Sequence, residues 1–193
     1  NAQYRGRPLT ICSTGIGSPS AAIAAEELAN VGAETLLRVG TTGALQREMA
    51  VGDVVIATAA AKEEGTTKRY ESVAHPAAPD FETTRALVDA AEDRGEEVHV
   101  GPIVTDDGYY AETDDYVADW EAAGLLAVEM EAAALFTVAR RRGLDAGALC
   151  TVDGNLVAGT QKTEAEAGEE LPAKARNNVE RMITVALEAT TTL

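Results

Sequence analysis

Short apolar segments alternate with helical segments along most of the chain, and this alternation restricts the fold more than any other feature. The apolar segments that are typical of buried β-strands are 8–14, 34–40, 52–61, 96–105, 125–129 and 145–153. The segments with helical periodicity or helix end signals are 18–32, 80–95, 113–124, 131–143 and 172–190. In the first helix, Ser18 is the predicted N-cap, Pro19 the first helical residue and Gly32 the stop. Strands that alternate with helices predict an α/β fold with a mainly parallel sheet covered on both faces.

Length and hydropathy indicate one domain. The chain has 193 residues, of which 46% are hydrophobic, enough for one sizeable core and too few for two. No apolar run approaches the roughly 18 residues that a membrane span needs. The sequence shows no signal peptide at its start, and we expect a cytoplasmic protein. A polar segment at 159–170 is predicted to be a surface loop.

The net charge is strongly negative. Asp and Glu number 32 against 16 Lys and Arg, which gives a formal net charge of -16. Such a surface repels phosphodiester backbones and disfavours nucleic acid as a partner. An acid-rich, lysine-poor surface is also typical of halophilic proteins; an ordinary acidic cytosolic protein is the alternative.

The cysteines and histidines give no sign of a metal site or a disulfide. Cys12 and Cys150 both lie in apolar strand-like segments and are predicted to be small core residues. His75 and His99 are the only histidines and are far apart in the sequence. These residues therefore do not suggest a metal site.

Two glycine-containing segments follow consecutive predicted strands, where ligand sites of α/β sheets lie. The first, 13–18, places Gly15 and Gly17 before a helix N-terminus, whose free amides can receive an anion. The second, 38–45, places Arg38 in an apolar strand before a Gly-Thr-Thr-Gly segment that we interpret as a turn with hydroxyls and amides suited to phosphate. A tight turn without a ligand, and a buried arginine paired with an acid, are the alternatives.

Two glutamates, Glu129 and Glu131, lie in an otherwise apolar segment at 125–136. No Lys or Arg lies nearby in the sequence, and a buried carboxylate without a partner costs several kcal/mol. On a helical period Glu131 would share a face with Leu135 and Val138, which should be core. A sugar with two adjacent hydroxyls could supply the missing hydrogen bonds. The alternative is an acid favoured by the dipole at a helix start, which explains one glutamate better than two.

Asp153 follows an apolar strand and precedes Gly154 and Asn155. A half-buried carboxyl group at a strand end could serve as a general acid. Asp-Gly is also a common turn pair, and on this signal alone the turn is the favoured interpretation.

Taken together, these motifs resemble the nucleoside phosphorylase family, which includes hexameric purine nucleoside phosphorylases and uridine phosphorylases. The resemblance rests on "STGIGSPS", "RVGTTGALQ", "PDFETTRALVDAAEDRG", "VEMEAAALF" and "TVDGN", in this order and spacing, and covers nearly the whole chain. It implies a three-layer α/β/α sandwich with a central, mainly parallel mixed sheet. It also implies reversible cleavage of a nucleoside by inorganic phosphate, which yields a free base and ribose 1-phosphate.

The resemblance also implies roles for individual residues. Phosphate would be bound by Arg38, Thr41 and the turn with Gly15 and Gly17. The ribose would be bound by Glu131, Met130 and Thr41, with Glu129 in a supporting position. The base would lie against Tyr109, Thr42, Gly43 and Val128, and Asp153 would protonate a purine base at N7. No metal or other cofactor takes part in this scheme, and inorganic phosphate is a co-substrate.

Two features depart from the family pattern. Its N-terminal Gly-Asp-x-x-Arg phosphate segment, and the His and Arg that a neighbouring subunit contributes, have no counterpart, and we expect the numbered sequence to omit an N-terminal segment. The Gln and Arg that read uracil in uridine phosphorylases are absent from 111–120. Together with Asp153, this absence favours a purine nucleoside over uridine.

Other functions stay open at this stage. A uridine phosphorylase proper is one, and a nucleosidase that uses water instead of phosphate on the same fold is another. A non-catalytic nucleoside-binding protein is a third. The family resemblance also implies a homo-oligomer, a hexamer built as a trimer of dimers.

Overall fold

The computed structural model describes residues 2–159 and 173–193, apart from the side chains of 173–177. The strands are β1 (Ala2–Tyr4), β2 (Arg7–Leu9), β3 (Thr35–Ala44), β4 (Val54–Lys62), β5 (Val98–Thr105), β6 (Ala127–Glu129) and β7 (Asp145–Asn155). The helices are α1 (Ser18–Asn30), α2 (Thr67–Tyr70), α3 (Phe81–Asp93), α4 (Asp114–Ala122), α5 (Ala132–Arg142) and α6 (Ala173–Ala189). The predicted loop at 159–170 lies, except for Gly159, outside the described residues.

The central sheet is mixed and mainly parallel, as predicted. Its strand order is β3-β6-β5-β4-β7, and β7 pairs again with β3, so that the sheet closes on itself. The pairs β3/β7, β4/β5 and β5/β6 are parallel, whereas β3/β6 and β4/β7 are antiparallel. The parallel pairs require crossover connections, which the helices provide.

Helices cover the sheet on both faces, which confirms the α/β layering. Alternate residues of β4 point to opposite sides: Val55 and Ala57 pack with α1 and α5, whereas Val54 and Ile56 pack with α3 and α6. The layer of α1 and α5 is rich in alanine, so these helices approach each other and the sheet closely. Within the described residues, no helix is both long and apolar enough to span a membrane.

The helix boundaries follow from their end residues. Asp80 caps α3 by accepting a hydrogen bond from the amide of Thr83 at 2.7 Å. Thr113 caps α4 in the same way through the amide of Tyr116. Gly143 ends α5 in the left-handed conformation with φ 70, which glycine adopts without strain.

The prediction of a strand at 8–14 is wrong for most of its length. The chain instead forms a separate β1/β2 hairpin whose two turn residues, Arg5 and Gly6, both have positive φ, 45 and 87. This is the geometry of a type I′ turn. Residues 10–14 then run outside any strand, and Ile11 is 80% exposed. Cys12 is consequently exposed and not a core residue, whereas Cys150 is buried as predicted.

One smaller prediction also needs correction, and one short helix was not predicted. Gly17, with φ 89 and ψ 159, is the N-cap of α1, and the predicted cap Ser18 is its first helical residue. The hydroxyl of Ser18 donates to the carbonyl of Met130 at 2.8 Å and thus joins two segments instead of capping a helix. The short helix α2 was not predicted; the buried carboxylate of Glu64 accepts from the amide of Thr67 at its start, at 2.9 Å.

Gly147 in β7 marks a position where the sheet and α3 meet without room for a side chain. A Cβ atom there would lie 2.8 Å from Cγ2 of Thr83 and 3.0 Å from Cδ1 of Leu87. We expect Gly147→Ala to lower the free energy of unfolding by about 1–3 kcal/mol, the usual cost of overpacking. Chemical denaturation in concentrated KCl measures this loss.

Gly65→Ala is the matched control, because a Cβ atom there would meet only Oδ2 of Asp107 at an ordinary 3.7 Å. Equal stabilities of the two variants would contradict the close packing of α3 on β7.

Candidate active site

An open cavity of about 1590 Å³ lies beside the carboxyl ends of β5, β6 and β7 and along β3. Its walls come from Thr35–Gly43 of β3, from Val128–Glu131 at the end of β6, from the loop after β5, and from Asp153 and Gly154 of β7. Among the predicted site residues, it is lined by Gly15, Arg38, Thr41, Thr42, Gly43, Tyr109, Val128, Met130, Glu131 and Asp153. Residues from distant parts of the sequence thus converge on one space.

Arg38 binds both glutamates of the apolar segment. Its Nε donates to Oε2 of Glu129 at 2.6 Å, and its Nη2 donates to Oε2 of Glu131 at 2.5 Å. The inference that these carboxylates lack a protein donor is therefore wrong. The donor comes from β3, which is distant in sequence and pairs with β6 in the sheet. Pairing with acids was the alternative for Arg38, and the structure shows it.

Arg38 also keeps hydrogen-bonding capacity toward the cavity. Nη1 makes no hydrogen bond to a described residue and lies over Gly40, two positions along the same face of β3. A Cβ atom at Gly40 would collide with Nη1. The absence of a side chain at Gly40 thus lets the guanidinium lie flat against the strand, where it lines the cavity.

The guanidinium stays charged in this environment. Burial alone lowers the pKa of Arg38, but the neighbouring carboxylates of Glu129 and Glu131 raise it, and the net result lies above its usual value. Burial also raises the pKa of the Cys150 thiol to about 12, so this thiol stays protonated and serves as a core side chain.

Glu129 is fully enclosed and caps α5. Its carboxylate accepts from Nε of Arg38, from Oγ1 of Thr105 at 2.5 Å, and from the amides of Glu131 and Ala132, both at 2.9 Å. Free amides at a helix start carry partial positive charge, so a carboxylate is stabilised there. The dipole interpretation is correct for Glu129, and the bond from the amide of Glu131 places the two glutamates side by side.

Glu131 is the N-cap residue of α5 and faces the cavity. Its backbone, with φ -136 and ψ -25, is not helical, so the expectation that its side chain shares a helix face with Leu135 and Val138 is wrong. Its Oε1 accepts from the amide of Gly17 at 2.6 Å. That amide is thereby bonded to a carboxylate, and Gly17, unlike Gly15, is not part of the cavity wall.

The Gly-Thr-Thr-Gly segment is the end of strand β3 and not a turn. Gly40 and Thr41 pair in register with Cys150 and Thr151 of β7. The hydroxyl of Thr42 is buried and donates to the carbonyl of Val128 at 2.6 Å, which ties β3 to β6.

Thr41 differs from its neighbour in having an available hydroxyl. The residue is partly exposed and lines the cavity, and its hydroxyl makes no hydrogen bond to a described residue. Gly43 leaves room beside Val128 and Leu156, whose side chains occupy the space where its Cβ would lie.

Asp153 is the extra residue of a β-bulge. Thr42 pairs with Val152 and Gly43 pairs with Gly154, so Asp153 has no opposite residue on β3. Bulges redirect side chains and are common next to active sites. The strand continues to Asn155, which shows that the Asp-Gly turn interpretation is wrong. The residue is 9% exposed and lines the cavity.

An acidic residue that the sequence analysis did not single out also lines the cavity. Glu112 lies in the loop between β5 and α4, close to Tyr109 and Tyr110, whose rings meet edge to face at 4.9 Å between centroids. Burial and, secondarily, the charge of Asp106 raise the pKa of Glu112 to about 7. A shifted acid in a cavity is a candidate functional group. The sequence offers one indication that this residue is functional: it follows the end of a predicted strand and comes two residues after a pair of tyrosines.

Within the described residues, no group of three or more His, Cys, Asp or Glu side chains is arranged to hold a metal ion.

Comparison with known proteins identifies the family. A family model described as the phosphorylase superfamily matches residues 2–191. The chain is 65% identical over 193 residues to a guanosine phosphorylase of Halorubrum lacusprofundi, covering 100% of this chain and 80% of that protein. It is 44% identical over 168 residues to a uridine phosphorylase of Thermococcus kodakarensis, covering 80% of this chain and 61% of that protein. The chain therefore belongs to the phosphorylase superfamily, as its motifs predicted.

A solved structure agrees with this assignment. The crystal structure of uridine phosphorylase from Vibrio fischeri, complexed with 6-hydroxy-1-naphthoic acid, superposes with a TM-score of 0.89 at 32% sequence identity. The match covers 100% of this chain and 78% of that one. The predicted nucleoside phosphorylase fold is thus confirmed.

The bonds of Glu129 lead to a stability prediction. In Glu129→Gln an amide group replaces one carboxylate oxygen and must face N–H or O–H donors, while Arg38 loses a charge partner. We expect the free energy of unfolding to fall by about 3–5 kcal/mol, as for other broken buried ion pairs. Urea denaturation followed by circular dichroism measures the loss.

Glu48→Gln provides the control, because Glu48 is exposed and the same chemical change there alters no buried bond. A loss no larger in Glu129→Gln than in this control would contradict the role of the Glu129 carboxylate in holding α5 against β3.

Proposed function

We propose that the protein is a nucleoside phosphorylase, which cleaves a ribonucleoside with inorganic phosphate and releases a free base and ribose 1-phosphate. Family membership and the similarity to proteins named guanosine phosphorylase and uridine phosphorylase support this assignment. The observation that carries it is the contact between Arg38 and Glu131 at one wall of a cavity large enough for a nucleoside and phosphate.

The phosphate subsite in this proposal is built on β3. Nη1 of Arg38, the hydroxyl of Thr41 and backbone amides near Gly15 are hydrogen-bond donors at the cavity wall. Phosphate oxygens accept such bonds strongly, and charged donors strengthen them. The amide of Gly17 is excluded from this subsite, because it donates to Glu131.

The ribose subsite lies next to the phosphate subsite. Glu131 has one oxygen bonded to Gly17 and the other to Arg38, so its carboxylate is oriented before a ligand arrives. Carboxylate oxygens accept more than one hydrogen bond each, and Glu131 can bind the 2′- and 3′-hydroxyls with its remaining lone pairs. Met130 lines the same wall and offers an apolar surface to the sugar.

The chemical step moves one bond pair and one proton. A phosphate oxygen forms a bond to the anomeric carbon while the bond from that carbon to the base nitrogen breaks, and the base takes the bonding electrons. Asp153 donates a proton to N7 of a purine and neutralises the charge that develops there. Phosphate and Glu131 lie on the ribose side, where positive charge develops.

A purine, and guanosine in particular, is the favoured substrate. The relative at 65% identity is named a guanosine phosphorylase, and Asp153 occupies a bulge position at the cavity wall. A nucleosidase is the second candidate function. It needs no phosphate donors, so the available Nη1 of Arg38 and hydroxyl of Thr41 favour phosphorolysis over hydrolysis.

Three further properties belong to the proposal. The net charge of -16 and the Halorubrum relative support adaptation to concentrated salt. A hexameric assembly and a cytoplasmic location follow from the family resemblance. Light scattering in concentrated KCl measures the assembly.

A substrate panel tests the proposed activity. Guanosine, inosine, adenosine and uridine are each incubated with and without phosphate in concentrated KCl, and products are separated by chromatography. We expect ribose 1-phosphate to appear only with phosphate and fastest with a purine nucleoside. Free ribose that forms at the same rate without phosphate would establish the nucleosidase instead.

Thr41→Val tests the phosphate subsite without disturbing a buried charge. It removes one hydroxyl and keeps the shape of the side chain, so we expect the phosphate KM to rise by about tenfold to hundredfold, the value of one hydrogen bond to a charged group. Initial rates at varied phosphate concentration measure the change.

Thr137→Val is the matched control. The hydroxyl of Thr137 is buried on α5 without a hydrogen-bond partner among the described residues, and this residue does not line the cavity. Its removal should leave the phosphate KM unchanged. The same KM in both variants would exclude Thr41 from phosphate binding.

A further inference from the structure

Glu112 holds a distinct place in the cavity wall. It lies in the loop after β5, two residues beyond Tyr110 and immediately before Thr113, the N-cap of α4. It is partly buried and lines the cavity together with Tyr109 and Asp106. Capping of α4 fixes the chain on one side, and the hydrogen bond from the amide of Asp106 to the carbonyl of Glu129 fixes the start of the loop at 2.9 Å.

The carboxyl group of Glu112 has no hydrogen-bond donor among the described residues. It forms no hydrogen bond or ion pair with a described residue, and Asp106 is the charge that affects it. Among the described residues, the basic ones in the cavity wall are Arg7 and Arg38, and Arg38 is engaged by Glu129 and Glu131. The pKa near 7 reflects this partial desolvation without compensation. A ligand that presents hydrogen-bond donors would supply the partners that the Glu112 carboxyl group lacks among the described residues.

We propose that Glu112 selects the base by accepting hydrogen bonds from N1–H and the 2-amino group of guanine. This inference rests on the proposed nucleoside phosphorylase function and specifies its substrate. The two donors of guanine lie side by side and match the two oxygens of one carboxylate. Hypoxanthine offers only N1–H, and adenine has an acceptor at N1. Uracil offers one N–H flanked by two carbonyl oxygens that a carboxylate repels.

Asp153 and Glu112 line the same cavity from different parts of the sheet. Asp153 belongs to β7 and Glu112 follows β5, and these two strands do not pair with each other. A purine that receives a proton at N7 from Asp153 presents N1–H and the 2-amino group at the opposite edge of its two-ring system, where a separate acid can accept them. Tyr109 lines the same cavity.

The test compares Glu112→Gln with the unaltered protein on guanosine, inosine, adenosine and uridine at saturating phosphate. Glutamine has nearly the same shape but replaces one acceptor by a donor, which faces a donor of guanine. We expect kcat/KM for guanosine to fall by about tenfold to hundredfold. The loss for inosine should be smaller, because hypoxanthine makes one of the two bonds, and adenosine and uridine should lose nothing.

Glu97→Gln is the control, since Glu97 is exposed just before β5 begins, at the opposite end of that strand. An equal loss on all four nucleosides, or an unchanged preference for guanosine in Glu112→Gln, would overturn the inference while the phosphorylase assignment stands. Absence of phosphate-dependent cleavage in the unaltered protein would overturn the proposed function itself. The panel on the unaltered protein is run first, so the two failures are distinguishable.

Discussion

The rest of the site depends on one buried cation held between two carboxylates. Arg38 on β3 binds Glu129 at the end of β6 and Glu131 at the start of α5, so one side chain joins three elements. Removing charges from water costs several kcal/mol per ion, and the cost is offset only when every group is hydrogen-bonded. Here Thr105, the first amides of α5 and the amide of Gly17 complete the bonding. The side chains of Arg38, Glu129 and Glu131 are therefore held by hydrogen bonds before any ligand binds.

This arrangement has a consequence for anion binding. Two carboxylates offset the charge of Arg38, so the described groups near it carry no net positive charge. Phosphate would then be bound through short hydrogen bonds from Nη1, Thr41 and backbone amides more than through net charge. Salt screens distant charges strongly but affects short, partly buried hydrogen bonds much less. A site of this kind is compatible with the concentrated salt that the acidic surface indicates.

The sequence was sufficient to predict those features of the fold that neighbouring residues determine. Asp80, Thr113 and Gly143 determined helix ends, and the alternation of apolar segments determined the sheet.

Prediction from the sequence failed where a contact between residues far apart in the chain determines the structure. The donor for Glu131 comes from a strand distant in the chain, and Ser18 is directed by the carbonyl of Met130. The Gly-Thr-Thr-Gly segment has turn composition but continues as strand because β7 pairs with it. The bulge at Asp153 is likewise set by that pairing, which no local pattern encodes.

One part of the site is tied to the buried ion pairs of Arg38, and another part is not. This difference explains how related proteins can differ in the base they cleave. Arg38 and Glu131, which are assigned to phosphate and ribose, take part in the buried ion pairs, so a change at either residue disturbs those pairs. Asp153 and Glu112, which are assigned to the base, lie on a bulge and in the loop after β5, and neither takes part in the ion pairs of Arg38. A substitution at Glu112 can alter the donors and acceptors offered to the base without breaking a bond of the core. Relatives named for guanosine and for uridine share this family, as such a division allows.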